Sequence, residues 1–100
     1  MTRVPGDLVV KDPESIEWYG FDWTLWLAEI GESVTIQTST WSVSAASITA
    51  DDAGIVVGGR MTQVRLSGGQ VGARYQLTNH IVATDGSADD RSFLVRVEER

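Results

Sequence analysis

The chain has no cysteine among its 100 residues. That excludes a disulfide framework, cysteine-ligated zinc, iron–sulfur clusters and thiol catalysis, while leaving the compartment open. It has one histidine, His80, and one lysine, Lys11, against seven arginines. No apolar run approaches the ~18 residues that a membrane helix needs. The opening Met1-Thr2-Arg3-Val4-Pro5-Gly6-Asp7 lacks an apolar signal core, so no secretory signal is expected. Length alone fits one domain, with enough chain for a core that needs no metal or staple.

Net charge is −6, unevenly spread. Residues 1–50 carry Arg3 and Lys11 against seven acids, a net of −5, and residues 51–100 carry six arginines against seven acids, a net of −1. An acidic chain repels phosphate backbones, which argues against a nucleic-acid partner. Arginine dominance favours fixed ion pairs and interfaces over a lysine-rich solvating surface.

What is present points to strands. Valine, isoleucine and threonine make 27 of the 100 residues, and eight aromatics add to the strand-favouring set. Tyr75–Thr84 alternates Tyr75, Leu77, Ile81 and Ala83 with Gln76, Thr78, His80 and Thr84. That is the period of a half-buried antiparallel strand. Asp85-Gly86-Ser87 supplies a turn, and Arg91–Glu98 returns with Phe93, Val95 and Val97 on one face. Met61–Ser67 sets Val64 and Leu66 inward. Ser33–Ser44 changes phase between Val34/Ile36 and Trp41/Val43, which predicts a bulge near Thr38–Thr40. Ile48–Ala50 and Ile55–Val57 read as short strands around Asp51-Asp52-Ala53-Gly54, and Ile16–Phe21 as an early strand. Seven short strands in ~100 residues predict an all-β, Ig-like antiparallel β-sandwich over residues 11–100, with a small barrel as the other option. Tyr75, after Gly72, stands where such sandwiches place a corner tyrosine. Residues 1–10, with Pro5, Gly6 and acidic side chains, read as an extended N-terminal arm able to lie across a neighbour.

Ile16–Leu27 holds five of the eight aromatics. If it is extended to Phe21, both faces are apolar, Ile16 and Trp18 on one and Tyr19 and Phe21 on the other. A strand facing water should not look like that. Asp22 then caps a short helical turn near residues 23–28, with Trp23, Trp26 and Leu27 on one side of it. One reading plugs the sandwich end with these aromatics; the other leaves Trp18, Trp23 or Trp26 partly exposed as anchors for a partner. The two are compatible, because one small core cannot hold them all.

Sites for chemistry are scarce. His80 lies on a polar strand face, and no G-x-S-x-G, Walker loop or H-E-x-x-H occurs. Asp51-Asp52 and Asp89-Asp90 fit turn chemistry better than calcium ligation, and Gly58-Gly59 and Gly68-Gly69 fit turns better than phosphate cradles. No catalytic residue, metal or cofactor is expected. Arg65, Arg74 and Arg96, with Arg60 and Arg91, fall at outward positions or strand ends. They pair across strands with Glu98, Glu99, Asp89 and Asp90, or form an arginine-bearing face that docks on the acidic half of a neighbouring copy.

The runs Lys11-Asp12-Pro13-Glu14 and Tyr19-Gly20-Phe21-Asp22-Trp23-Thr24-Leu25-Trp26-Leu27 then carry a resemblance. With Thr40-Trp41-Ser42-Val43, Leu66-Ser67-Gly68-Gly69, Gly72, Tyr75-Gln76-Leu77-Thr78-Asn79, Asp90-Arg91-Ser92-Phe93 and Val95-Arg96-Val97, the chain from Lys11 onward resembles small Ig-like virion proteins of tailed bacteriophages, of the fiber–tail adaptor type. The resemblance implies a structural particle component without a cofactor, assembled in several copies and bound to other virion proteins. It implies no nucleic acid, membrane or small-molecule substrate, and synthesis in the bacterial host cytoplasm. A capsid decoration protein of the same fold and a carbohydrate-binding module using Trp18, Trp23 or Trp26 are the competing readings. Trp18, Trp23, Trp26, Arg65, Arg74 and Arg96 are the interface candidates.

Overall fold

The computed structural model describes residues 2–56 and 58–99, with side chains from residue 4 onward. Its described residues form β1 (Thr2–Arg3), β2 (Leu8–Lys11), β3 (Ile16–Asp22), α1 (Thr24–Ile30), β4 (Ile36–Val43), β5 (Ile48–Val56), β6 (Met61–Gly68), β7 (Arg74–Ala83) and β8 (Ala88–Val97). Two four-stranded sheets result, in the orders β1-β3-β6-β5 and β2-β8-β7-β4. The all-β sandwich expected from the sequence is what forms. Its strand order is compatible with the immunoglobulin arrangement of an ABED sheet on a GFC sheet.

Alternation decides which side chains meet between the sheets. β7 buries Tyr75, Leu77, Ile81 and Ala83, and β8 buries Phe93, Val95 and Val97. The first sheet answers with Tyr19 and Phe21 from β3 and with Val64 and Leu66 from β6. Each large apolar side chain so buried stabilises by roughly 1.5–3 kcal/mol. Phe93 stands among aromatics, 5.5 Å from Tyr19 and 5.8 Å from Phe21 between ring centroids.

Four details differ from the sequence expectation. Ile48–Ala50 and Ile55 onward form one strand, β5, because Asp51–Gly54 is a bulge and not a turn. Asp52 takes φ 50°, a left-handed conformation that aspartate tolerates better than most residues; Val57 lies outside the described residues. The phase change in β4 is absorbed between Ile36 and Thr38, two residues earlier than expected. The third detail is pairing: six strands are antiparallel, but β1 runs parallel to β3 and β2 parallel to β8. Residues of the expected arm thus lie on this chain's own sheets. The fourth is the helix, whose N-cap position falls on Trp23, while the Asp22 carboxylate accepts the Thr24 N–H at 2.9 Å.

The core is not wholly apolar. Asn79 sits at an inward position of β7, the one gap in that strand's apolar alternation. Its Oδ1 accepts the Trp23 Nε1–H at 3.1 Å and the Thr62 hydroxyl at 2.7 Å. Its Nδ2 donates to Ser39 Oγ at 2.9 Å and to the Thr40 carbonyl at 3.1 Å. One amide thereby joins α1's entry, β6, β7 and β4. At the opposite end, Tyr75 Oη accepts the Gln70 N–H at 2.9 Å and shares a 2.6 Å hydrogen bond with Ser47 Oγ. This is the corner-tyrosine geometry. Gly69 passes beneath it at φ 100°, where a Cβ would stand 2.7 Å from Val97 Cγ2.

Asn79→Leu keeps the branched shape at a larger volume and leaves the buried Trp23 and Thr62 donors without a partner. We expect it to destabilise by about 2–4 kcal/mol in urea unfolding. Tyr75→Phe removes only the corner hydrogen bonds and should cost about 1–2 kcal/mol, with Tm falling by roughly 4–8 °C per kcal/mol for a domain of this size. An unchanged melting point in Tyr75→Phe would mean that packing alone fixes the corner.

Asp22 gives a pH-dependent check. Hydrogen bonds from the Thr24 side chain and amide hold its carboxyl below the ordinary 3.8, and Arg91 adds to the effect. A depressed carboxylate contributes stability that is fully present above its unfolded pKa and lost as pH falls through the folded value. The stability difference between wild type and Asp22→Asn is therefore expected in full at pH 7 and should fade as pH falls below 3.8 through the lower folded value, measured by thermal melts across pH.

Candidate interaction surfaces

The six interface candidates fall on three different surfaces. Trp23 and Trp26 belong to the α1 end. Trp23 is fully buried, 6.3 Å from Phe21 and 5.6 Å from Trp26 in edge-on contacts. The Arg91 guanidinium lies 4.0 Å above its ring and donates to the Asp22 carbonyl at 2.9 Å. A cation over an indole face adds about 0.5–2 kcal/mol, more as water is excluded. The Trp23 side chain is therefore held inside the fold by its stacking and by Asn79. Trp26 is half-buried against the core, and its neighbour Leu25 is 81% exposed. A cavity of about 190 Å³ follows, lined by Leu27, Ala28, Gly31, Glu32, Val34 and Arg60.

Trp18 and Arg65 meet on the outer face of the first sheet. β3 sends Tyr19 and Phe21 inward, so Ile16 and Trp18 must point outward. Ile16 is 64% exposed, and Trp18 is half-buried beside its cross-strand partner Arg65. Arg65 is held from the other side by Asp51 Oδ1 and Asp52 Oδ2, both at 3.0 Å. The Asp51 hydrogen bond, then its charge and that of Asp52, raise the guanidinium's pKa further, so it is charged at every working pH. The β5 bulge brings both carboxylates to one arginine. The row from Trp18 through Arg65 to Asp51 is thus an apolar patch bordered by an internally balanced ion cluster.

Arg74 and Arg96 meet on the outer face of the second sheet, as direct cross-strand partners. Like charges opposed in this way repel. Glu98 relieves the repulsion, its carboxylate 3.1 Å from Arg96 Nε. That nitrogen has no well-directed hydrogen bond, so the contact is an ion pair only. Farther along this face lie the Leu8–Leu94, Thr78–Ser92 and His80–Asp90 pairs. The expected partners of the arginines were Asp89, Asp90, Glu98 and Glu99. Among the described residues, Glu98 takes Arg96, Asp90 takes His80, and Arg65 turns to Asp51 and Asp52.

Arg91 and Asn79 organise the α1 end; the sequence reading grouped Arg91 with the outward or strand-end arginines and did not single out Asn79. Both share the inward parity of their strands, Arg91 with Phe93 and Asn79 with Leu77. A polar residue at an apolar phase was the available signal. Among the described residues, no group of three or more His, Asp or Glu side chains is placed to hold a metal ion, and no helix is long and apolar enough to cross a membrane.

No curated protein matches the chain. Among solved structures, the one described as the "Solution Structure of Amebosin" aligns over 99% of this chain and 96% of its own, at 13% identity and a TM-score of 0.42. A likeness at that level carries no argument about fold or role. The family described as "Podophage GP4 fiber-tail adaptor protein gp77" matches residues 11–96. That span runs from the buried Lys11 through α1, the β5 bulge and the corner tyrosine to Arg96, and so takes in all six candidates. The chain belongs to this podophage fiber-tail adaptor family and is a structural protein of the virion.

Proposed function

We propose that the outer face of the first sheet, centred on Ile16 and Trp18 beside Arg65, is the surface by which this adaptor grips a neighbouring virion protein. The observation that carries it is the apolar outer parity of β3. Tyr19 and Phe21 already serve the core, yet the opposite face of the strand keeps Ile16 64% exposed and Trp18 half-buried. A strand with a finished core has no internal use for them, and tryptophan is enriched among residues that dominate interface energies. Arg74 and Arg96 on the other sheet, and Trp26 with Leu25 at the α1 end, are secondary contact points in the same reading. Trp23 contributes from inside, by fixing α1.

As an adaptor the chain binds other virion proteins and belongs to the tail. In our reading it does so in several copies, made in the host cytoplasm. We assign it no reaction, cofactor, membrane or small-molecule substrate, and its net charge of −6 disfavours a nucleic-acid partner. The family supports this role over capsid decoration and glycan binding. A sugar platform also needs tryptophans in one exposed row, whereas Trp23 is in the core and Trp18 and Trp26 lie on separate surfaces.

The test is incorporation of Ile16→Asp and Trp18→Ala into phage particles, counted by quantitative mass spectrometry. Both changes are on a solvent face, so stability should move by no more than about 1 kcal/mol. Loss of a central apolar anchor should lower incorporation about tenfold or more. Wild-type incorporation of two folded variants would remove this face from the docking role.

A further inference from the structure

The two long strands at the open flank of the sandwich are finished in opposite ways. β5 ends the first sheet and β4 ends the second. β5 carries a bulge at Asp51–Gly54, a left-handed Asp52 and two carboxylates, which are the features that stop another strand from adding. β4 reads Ile-Gln-Thr-Ser-Thr-Trp-Ser-Val from Ile36 to Val43, with no charge, proline or glycine.

The ladder shows which backbone groups β4 leaves open. Ser44 N–H donates to the Gln76 carbonyl at 3.1 Å, and the register continues as Ser42↔Thr78, Thr40↔His80 and Thr38↔Val82. In an antiparallel pair, alternate residues bond to the partner and the rest face away. The N–H and C=O groups of Ser39, Trp41 and Val43 therefore point along the free edge. Among the described residues, no backbone group is bonded to them. Trp41 adds a second sign. Its ring stacks on Phe21 at 5.9 Å and 9°, half-buried at this flank, and its Nε1–H is shielded from water without an acceptor.

We propose that β4 is a strand-acceptor edge, and that an extended, uncharged segment of a neighbouring virion protein adds to it through Ser39, Trp41 and Val43. The spacing of the open groups selects an extended backbone and not a helix or a loop. The absence of charge on β4 selects an uncharged segment. The incoming strand places every second side chain beside the half-buried Trp41 ring. This inference rests on the adaptor reading and concerns a different surface from the Ile16–Trp18 face.

The experiment is hydrogen–deuterium exchange of the peptide spanning residues 38–44, in the isolated protein and in phage particles. Three amides should exchange rapidly in the free chain and slow by about a hundredfold in the particle, as expected when open strand amides become ladder-bonded. Thr38→Lys and Ser42→Lys each place a charge at an exposed position of the edge strand, outside the Asn79 network. Both should fold, by thermal melt, and both should lose incorporation about tenfold or more. Equal exchange in the two states overturns the proposal, as does normal incorporation of both variants. Protection already present in an isolated protein of doubled mass overturns it too, because the occupant is then a second copy. If Ile16→Asp blocks incorporation while the β4 variants do not, the adaptor reading stands and the strand-acceptor edge falls. Absence of the wild-type chain from particles overturns both.

Discussion

Asn79 is the constraint on which most of this fold turns. A carboxamide in a sandwich core is costly unless every donor and acceptor is used. Here Oδ1 takes Trp23 and Thr62, and Nδ2 reaches Ser39 and the Thr40 carbonyl. These partners come from both sheets and from the entry to α1, so the network specifies how the sheets stack and where the helix starts. Apolar contacts alone would tolerate small slides of one sheet over the other. Once Trp23 is fixed, Arg91 can cover its outer ring face, and Trp26 takes its position from Trp23. A satisfied network of this kind strengthens its own members, because the surroundings screen it poorly.

The opposite end is held by different means. Lys11 is fully buried, and its Nζ donates to the carbonyls of Asp12, Ser15 and Gly68. An ammonium has three donors, so these three carbonyls match its full capacity. They join the β2–β3 turn to the end of β6. The corner hydrogen bonds of Tyr75 and the close passage of Gly69 over Val97 finish the same end. The domain is therefore closed at both ends by polar groups acting on backbone and tryptophan, and along its middle by alternating apolar strands.

That division explains what could be read in advance. β7 and β8 were plain because two-residue alternation is imposed by the pleat itself. The position of α1 was plain because Trp23, Trp26 and Leu27 share one side of a helical turn. Joining Ile48–Ala50 to Ile55 was not, since Asp51-Asp52 has the composition of a turn. Only Arg65 opposite, holding both carboxylates, makes a bulge the better solution. β1 and β2 escaped because they are short and depend on partners distant in sequence: Leu8 pairs with Leu94, and Thr2 with Trp18. The burial of Lys11 was not legible, because nothing local shows three carbonyls converging on it. Among the interface candidates, parity set Trp18 on the face opposite Tyr19 and Phe21 without deciding which face was inward, and the core demand for Trp23 came from Asn79, 56 residues away.

The exposed apolar side chains are distributed in a way that suits an adaptor. Ile16 lies on one sheet face, Leu8 and Leu94 on the other, Leu25 at the helical end and Val71 near the opposite end. These patches lie apart from one another, and a net charge of −6 makes free copies repel. A single such patch binds weakly. In a particle, however, neighbours held in fixed positions present several contacts at once. After the first contact forms, the second is governed by effective concentration and no longer by free diffusion. A rigid body 43 Å long, with its faces fixed before docking, loses little freedom in making those contacts. Separated apolar surfaces on one sandwich thus suit a protein that joins other virion proteins.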